Sequence, residues 1–71
     1  MQTQLKLNKR EKELLGYLAQ GLANKEIAVK MCISETMVKR LFYLLREKME
    51  CKNRTALVVQ AIKANLIQIN A

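Results

Sequence analysis

Two helical patterns that lie only three residues apart constrain this chain more than any other stretch of its sequence. The first pattern spans Asn24–Met31, and the second runs from Glu35 to about Met49. Three residues are too few for a flexible linker, but they are the usual length of a tight corner between two helices. The side chains expected to hold this corner together are Ile27, Ala28, Met31, Ile33, Val38 and Leu41. The second helix should therefore press on the first with one face and leave its other face exposed.

The two faces of that second helix separate when its residues are placed at about 100° per residue. The face expected to point inward holds Val38, Phe42, Leu45 and Met49, widened by Met37, Leu41 and Leu44. The outward face carries Thr36, Lys39, Arg40 and Tyr43, followed by Glu47 and Glu50. An ordinary solvated face is the alternative, but the short corner, the basic leading half and the net charge together favour contact with a DNA major groove.

The chain is strongly basic, with 13 Lys and Arg against 6 Asp and Glu in 71 residues and a formal net charge of +7. This excess favours a polyanionic partner, either nucleic acid or an anionic membrane surface, and a basic surface kept for solubility is the alternative. Membrane-surface binding is the weaker idea, because the basic helix lacks a free apolar face bearing Trp. With no spanning segment and no signal-peptide core, we expect no membrane partner and a cytoplasmic location.

Residues that carry catalysis or bind metals are scarce in this sequence. There is no His, and Cys32 and Cys51 are isolated thiols without a CxxC pattern, so no metal site, cofactor or disulfide framework is expected. Glu11, Glu26 and Glu35 each have a capping or dipole role at a predicted helix start. Because a glycine-rich phosphate loop and paired carboxylates are also missing, we do not expect an enzyme.

Cap residues predict where the first two helices begin and end. Asn8 is a good N-cap for a first helix that runs to about Gln20, and Gly21 can take the left-handed conformation that ends it. The second helix begins less clearly, because Ala23 stands where a Ser or Thr would complete a capping box. Asn24 is therefore expected either to cap one residue later or to leave a looser helix start.

A fourth predicted helix completes an all-α, four-helix domain. Asn53 caps this helix, which runs from Arg54 to about Ala64, and Asn65 is expected to end it in a left-handed conformation. The lead-in, the domain and the tail are expected at residues 1–7, 8–67 and 68–71.

The last helix has an apolar arc of roughly 200°, about twice the stripe that a helix needs to pack on one core. The side expected to cover the other helices holds Leu57, Ala61 and Ala64. The residues expected to form a homodimer contact are Val58, Val59, Ile62 and Leu66. The alternatives are that Leu66, Ile67 and Ile69 fold back over this surface, or that a missing domain covers it.

Six fragments follow one another along residues 7–67: LNKREKELL, GLANKEIA, ISETMVK, LREKM, NRTALVVQA and ANLI. In this order and spacing they resemble the LuxR/GerE-type DNA-binding domain of bacterial transcription regulators. A sigma-factor C-terminal helix-turn-helix domain shares the first three fragments, and the last helix with its capped end favours the LuxR/GerE type.

The resemblance implies a four-helix fold in which the third helix reads the DNA major groove and the fourth often forms a dimer. It implies base-reading roles for Lys39, Arg40 and Tyr43. It implies contacts with the DNA backbone for Asn24, Lys25, Thr36, Arg46 and Lys48. The departures from the family's pattern are Ala23 for a capping Ser, Met37 for Thr, Leu41 for His and Asn65 for Gly.

These observations predict sequence-specific binding of double-stranded DNA, by a homodimer on an inverted-repeat site, as part of a bacterial transcription regulator. RNA polymerase is a further partner that such a regulator can contact. A different class stays open, namely a small helical protein-interaction module that regulates another transcription factor without binding DNA. The two classes differ in their predictions for Lys39 and Arg40: DNA binding requires these residues, whereas the protein-interaction module does not.

Overall fold

The computed structural model describes residues 7–64 and residue 66, and these form four α-helices and no strand. The helices are α1 (Lys9–Ala19), α2 (Asn24–Met31), α3 (Glu35–Met49) and α4 (Arg54–Lys63). The expected all-α class is confirmed, and every expected helix end lies within one residue of the observed end. The expected cap at Asn65, the residues Ile67 and Ile69, and the tail lie outside the described residues. Over the described part, no helix is long and apolar enough to cross a membrane.

Polar side chains cap the starts of three helices, as the sequence predicts. The Asn8 Oδ1 accepts from the Glu11 backbone N–H at 2.8 Å, and the Glu11 Oε1 accepts from the Asn8 N–H at 2.9 Å. The Ser34 Oγ accepts from the N–H three residues on at 3.0 Å, and the Asn53 Oδ1 does the same at 2.8 Å. Each cap satisfies a backbone donor that has no partner within its helix.

The start of α2 has only half of a capping box. The Glu26 Oε1 accepts from the Ala23 backbone N–H at 3.0 Å, but the methyl group of Ala23 cannot return a bond to the first turn. Asn24 is the first helical residue, and the idea that it caps the helix is wrong. The cause is the extended backbone of Ala23 (φ −76°, ψ 158°), which makes that residue the N-cap despite its apolar side chain.

Three helices end next to a residue in the left-handed conformation. Gly21 (φ 82°) does so as expected, whereas Cys32 (φ 58°) and Glu50 (φ 55°) adopt the conformation without being glycine. A non-glycine residue there costs roughly 1–2 kcal/mol, which the closing hydrogen bonds of the helix ends help to offset. These bonds run from Leu22 N–H to Tyr17 O at 3.2 Å, from Ile33 N–H to Ala28 O at 3.0 Å, and from Cys51 N–H to Arg46 O at 3.0 Å.

The core is one apolar cluster to which all four helices contribute. Its largest fully buried side chains are Leu14, Leu15, Ile27, Val38, Leu45 and Leu57. α2 packs on α3, and Ala28 is buried in the cluster as expected for a small residue at a helix crossing. Leu7 is also buried there, which extends the core to the residue before the first cap.

Two residues expected to face inward are exposed. Leu44 is 48% exposed, because it lies about 120° around α3 from Val38, beyond the reach of the helices that cover the buried side. Ala64 is exposed because it follows the last residue of α4 and takes no part in the inward face of that helix.

Leu45→Ala is expected to lower the free energy of unfolding by about 2–5 kcal/mol, because it leaves a cavity at a fully buried position. The matched control is Leu44→Ala, the same change on the neighbouring exposed side chain, which should alter stability by less than about 1 kcal/mol. Urea unfolding followed by circular dichroism measures both variants. Equal losses would show that the inward face of α3 is assigned incorrectly.

Ala23→Ser is expected to raise the free energy of unfolding by about 1 kcal/mol, because a hydroxyl would complete the capping box that Glu26 already half forms. In a domain of this size such a gain corresponds to roughly 4–8 °C in melting temperature. Ser34→Ala, at the start of α3, is the opposite change and should lose a similar amount. An unchanged melting temperature in Ala23→Ser would contradict the half-box description.

Candidate nucleic-acid interface

The outward face of α3 is formed by Thr36, Lys39, Arg40 and Tyr43, and all four side chains are exposed. Tyr43 keeps 53% of its surface accessible despite its aromatic ring. Residues three and four apart are neighbours on a helix surface, so Thr36, Arg40 and Tyr43 follow one another along the helix with Lys39 beside them, and these four residues are called the outward row. The structure therefore brings together the residues to which base reading was assigned.

The row projects from a helix that is fixed on its other side. Val38, Leu45 and Met49 of α3 are buried in the core, and Ser34 caps its start. Residues 32–34 join it to α2, and the Ile33 N–H bonds to Ala28 O at 3.0 Å within this corner. Because the corner is short and hydrogen-bonded, the outward face has a defined orientation relative to α2.

The chemistry of the row suits nucleic acid. Arg40 offers a planar set of donors that matches paired acceptors, Lys39 offers a mobile charge, and Tyr43 offers a ring and a hydroxyl. Within residues 7–64 no carboxylate lies within ion-pair distance of Lys39 or Arg40. Both charges are thus available to phosphates or base edges.

The charge along this face changes sign towards the end of the helix. Glu47 and Glu50 are exposed in the trailing half, as the sequence predicts. A polyanion is attracted to the leading half and repelled by the trailing half. The face therefore favours an approach in which the start of α3 meets the polyanion.

The residues expected to contact a DNA backbone fall into two groups. At the start of α2, Lys25 is exposed and Asn24 is half-buried, and on α3 Thr36 is exposed. Arg46 and Lys48 instead have contacts within the protein. Lys48 also lies on a different side of α3 from the outward row, about 140° around the helix from Tyr43.

Arg46 and Lys48 connect α3 to other parts of the fold. The Arg46 guanidinium lies over the Phe42 ring, 5.6 Å from its centroid, and its Nη1 donates to the Lys52 backbone carbonyl. The Lys48 Nζ forms an ion pair with the Glu11 Oε1 of α1 at 3.0 Å. Their expected contacts with a DNA backbone remain predictions.

Met37 and Leu41, which replace polar residues of the family's pattern, are both half-buried. Leu41 packs against the core cluster. The expectation that the fold accepts these two apolar residues agrees with their placement, because each buries part of its apolar surface.

The expected homodimer surface of α4 is divided in the structure. Val59 and Ile62 are 44% and 37% exposed. Val58 and Leu66 are half-buried and pack against the chain's own core, and the Leu66 N–H bonds to Ala61 O at 2.8 Å. An exposed apolar strip therefore remains at Val59 and Ile62, with Val58 and Leu66 at its edge.

Arg54 has a structural role that the sequence pattern does not predict. The Arg54 Nη2, at the first position of α4, donates to the Leu22 backbone carbonyl, 32 residues earlier in the chain. This bond joins the start of α4 to the loop that precedes α2. Only the basic character of positions 52 and 54 gives a sequence signal, and it does not indicate the partner.

Comparison with known proteins gives a consistent result. The family described as "Bacterial regulatory proteins, luxR family" matches residues 5–61. The chain is 40% identical over 60 residues to the uncharacterized transcriptional regulatory protein YxjL of Bacillus subtilis, covering 84% of this chain and 28% of that protein. It is 41% identical over 66 residues to the quorum sensing-dependent transcriptional regulator RpaR of Rhodopseudomonas palustris, covering 90% of this chain and 26% of that protein.

A solved structure shares the fold. The response regulator ChrA of a heme-sensing two-component system superposes with a TM-score of 0.85 and 38% identity, over 93% of this chain and 33% of that chain. The chain thus spans about a quarter to a third of the length of these relatives.

Proposed function

The chain belongs to the luxR family of bacterial regulatory proteins, and from this premise we propose that it binds double-stranded DNA sequence-specifically as part of a transcription regulator. The observation that carries the proposal is the exposed row on α3, whose basic side chains have no carboxylate partner in the described part of the chain. In this proposal α3 enters the major groove with its leading half.

Affinity and specificity would come from different groups. Lys25, Lys39 and other exposed basic residues would neutralise phosphates and release counterions, a contribution that does not depend on sequence. Arg40 would donate two hydrogen bonds to a guanine, which discriminates against a wrong base by roughly 1–3 kcal/mol. Tyr43 would pack on a thymine methyl or bond a phosphate, and Asn24 and Thr36 would contact the backbone.

Arg40→Ala is expected to bind duplex DNA with a weaker sequence preference, because it loses about 1–3 kcal/mol of discrimination at one base pair. A preferred duplex is first selected from random sequences with the wild-type chain. Fluorescence anisotropy then compares preferred and scrambled duplexes over a series of salt concentrations. If Lys39 contacts a phosphate, Lys39→Ala should weaken binding to both duplexes about equally. It should also reduce the slope of log affinity against log salt concentration by about 1.

The matched control is Arg10→Ala, the same loss of charge at an exposed position on α1. It should keep the sequence preference of the wild type. A wild-type chain that is folded by circular dichroism but binds no duplex at low salt would overturn the proposal. That result would favour the protein-interaction module, and a search for a regulator that binds the chain would follow.

The proposal includes a homodimer through α4. It is supported by the apolar surface at Val59 and Ile62, flanked by Val58 and Leu66, which a second copy of the same helix would remove from water. A dimer with two-fold symmetry would bind an inverted-repeat DNA site. Contact with RNA polymerase stays a prediction that follows from the regulatory role.

Ile62→Glu is expected to raise the dimer dissociation constant by at least about tenfold, because it places a charge within an apolar contact. Sedimentation equilibrium over a range of chain concentrations measures the constant. The matched control is Val29→Glu on α2, where the side chain is 75% exposed. An equal effect of the two variants, or a monomer at every concentration, would contradict the α4 dimer.

A further inference from the structure

An exposed leucine lies beside the outward row of α3. Leu44 follows Tyr43 in the chain and keeps 48% of its surface accessible. At about 100° per residue it lies about 40° around the helix from Arg40 and about one turn further along. Leu44 is therefore a surface neighbour of Arg40, on the side away from Tyr43. It has no part in the contacts with DNA proposed above.

The packing of the core does not account for this leucine. Leu45 is fully buried and Leu41 is half-buried against the core cluster, whereas nearly half of Leu44 is in contact with water. Single exposed apolar residues are common on protein surfaces, so exposure alone assigns no role to Leu44. Its position next to an exposed arginine is the informative feature, because any molecule that covers one of the two side chains also meets the other.

The charge around Leu44 favours a duplex over an apolar protein groove. Lys39 and Arg40 are exposed, and in the described part of the chain neither forms an ion pair with a carboxylate. A groove lined by apolar residues would take the Arg40 guanidinium out of water without a counter-charge, which is costly. The major groove of DNA presents both the acceptor atoms of guanine and the C5 methyl group of thymine. A duplex therefore satisfies the arginine and the leucine together.

The spacing along α3 limits which base Leu44 can reach. Four residues of an α-helix advance by about 6 Å, and successive base pairs of DNA are about 3.4 Å apart. A helix that lies along the groove thus places Leu44 within about two base pairs of the base that Arg40 contacts. Leu44 is also the last exposed residue before Glu47, whose carboxylate is repelled by phosphates. It therefore lies at the end of the part of α3 that can enter the groove.

We propose that Leu44 recognises a thymine by packing against its C5 methyl group, within about two base pairs of the guanine that Arg40 binds. This inference rests on the function proposed above and adds one base to its specificity. The contact is apolar and requires no hydrogen bond, because thymine is the base that carries a methyl group in the major groove. The preferred site should accordingly contain a guanine and a thymine at this close spacing.

The test replaces thymine by deoxyuridine, which lacks the methyl group and keeps the hydrogen-bonding groups of the base. The duplex selected with the wild-type chain is synthesised again with each thymine replaced in turn. Fluorescence anisotropy at one salt concentration measures the dissociation constant of every duplex. For the wild type, the replacement of one particular thymine is expected to weaken binding about fourfold, the effect of one methyl group that is no longer buried.

Leu44→Ala should bind the unmodified duplex at least about fourfold more weakly than the wild type, and the replacement of that thymine should then have no further effect. Because Leu44 is exposed, the variant should fold like the wild type, which circular dichroism verifies. The matched control is Tyr43→Ala, which shortens the neighbouring exposed side chain on the other side of Arg40. It should keep the fourfold response to the thymine that Leu44 contacts.

Three outcomes overturn the inference while the proposed function stands. In the first, the wild type selects a duplex but no thymine replacement weakens its binding. In the second, Leu44→Ala responds to every replacement as the wild type does, so another residue meets the methyl group. In the third, that response is unchanged and sedimentation equilibrium shows a weaker dimer, which assigns Leu44 to a contact with a second copy. A folded wild-type chain that binds no duplex would overturn the inference and the proposed function together.

Discussion

The packing of α2 against α3 is the contact on which the orientation of the candidate nucleic-acid interface depends. Ile27 and Ala28 from one helix and Val38 from the other are buried in a single cluster, and the corner between them has room for only three residues. Close-packed interiors tolerate little added volume, so a larger side chain at Ala28 would disturb this contact. The direction in which the outward row points is therefore set by apolar packing on the opposite side of the helix.

Most of the architecture can be predicted from local chemistry. Asn8, Ser34 and Asn53 mark helix starts because each supplies an acceptor that its own first turn needs, and that need does not depend on the rest of the fold. The exceptions have tertiary or backbone causes. Leu44 is apolar but faces solvent because no other helix reaches that side of α3, and Ala23 becomes a cap through its backbone alone.

The candidate interface is predictable to a similar extent. Helical periodicity is sufficient to place Lys39, Arg40 and Tyr43 on one exposed face, whereas the partners of Arg46 and Lys48 depend on the folded chain. The Lys48 partner Glu11 is 37 residues away, and nothing in the spacing of α3 indicates it. The partner of Arg54 is absent from the sequence pattern for the same reason, since the Leu22 carbonyl meets it only in the folded chain.

The distribution of charge separates residues that support the fold from residues that remain available to a ligand. Lys48 is paired with a carboxylate across two helices. Lys39 and Arg40 have no such partner in the described part of the chain, and they are exposed, so water solvates them at little cost. Arg46 differs from both groups because its guanidinium lies over the Phe42 ring and donates to a backbone carbonyl rather than to a carboxylate.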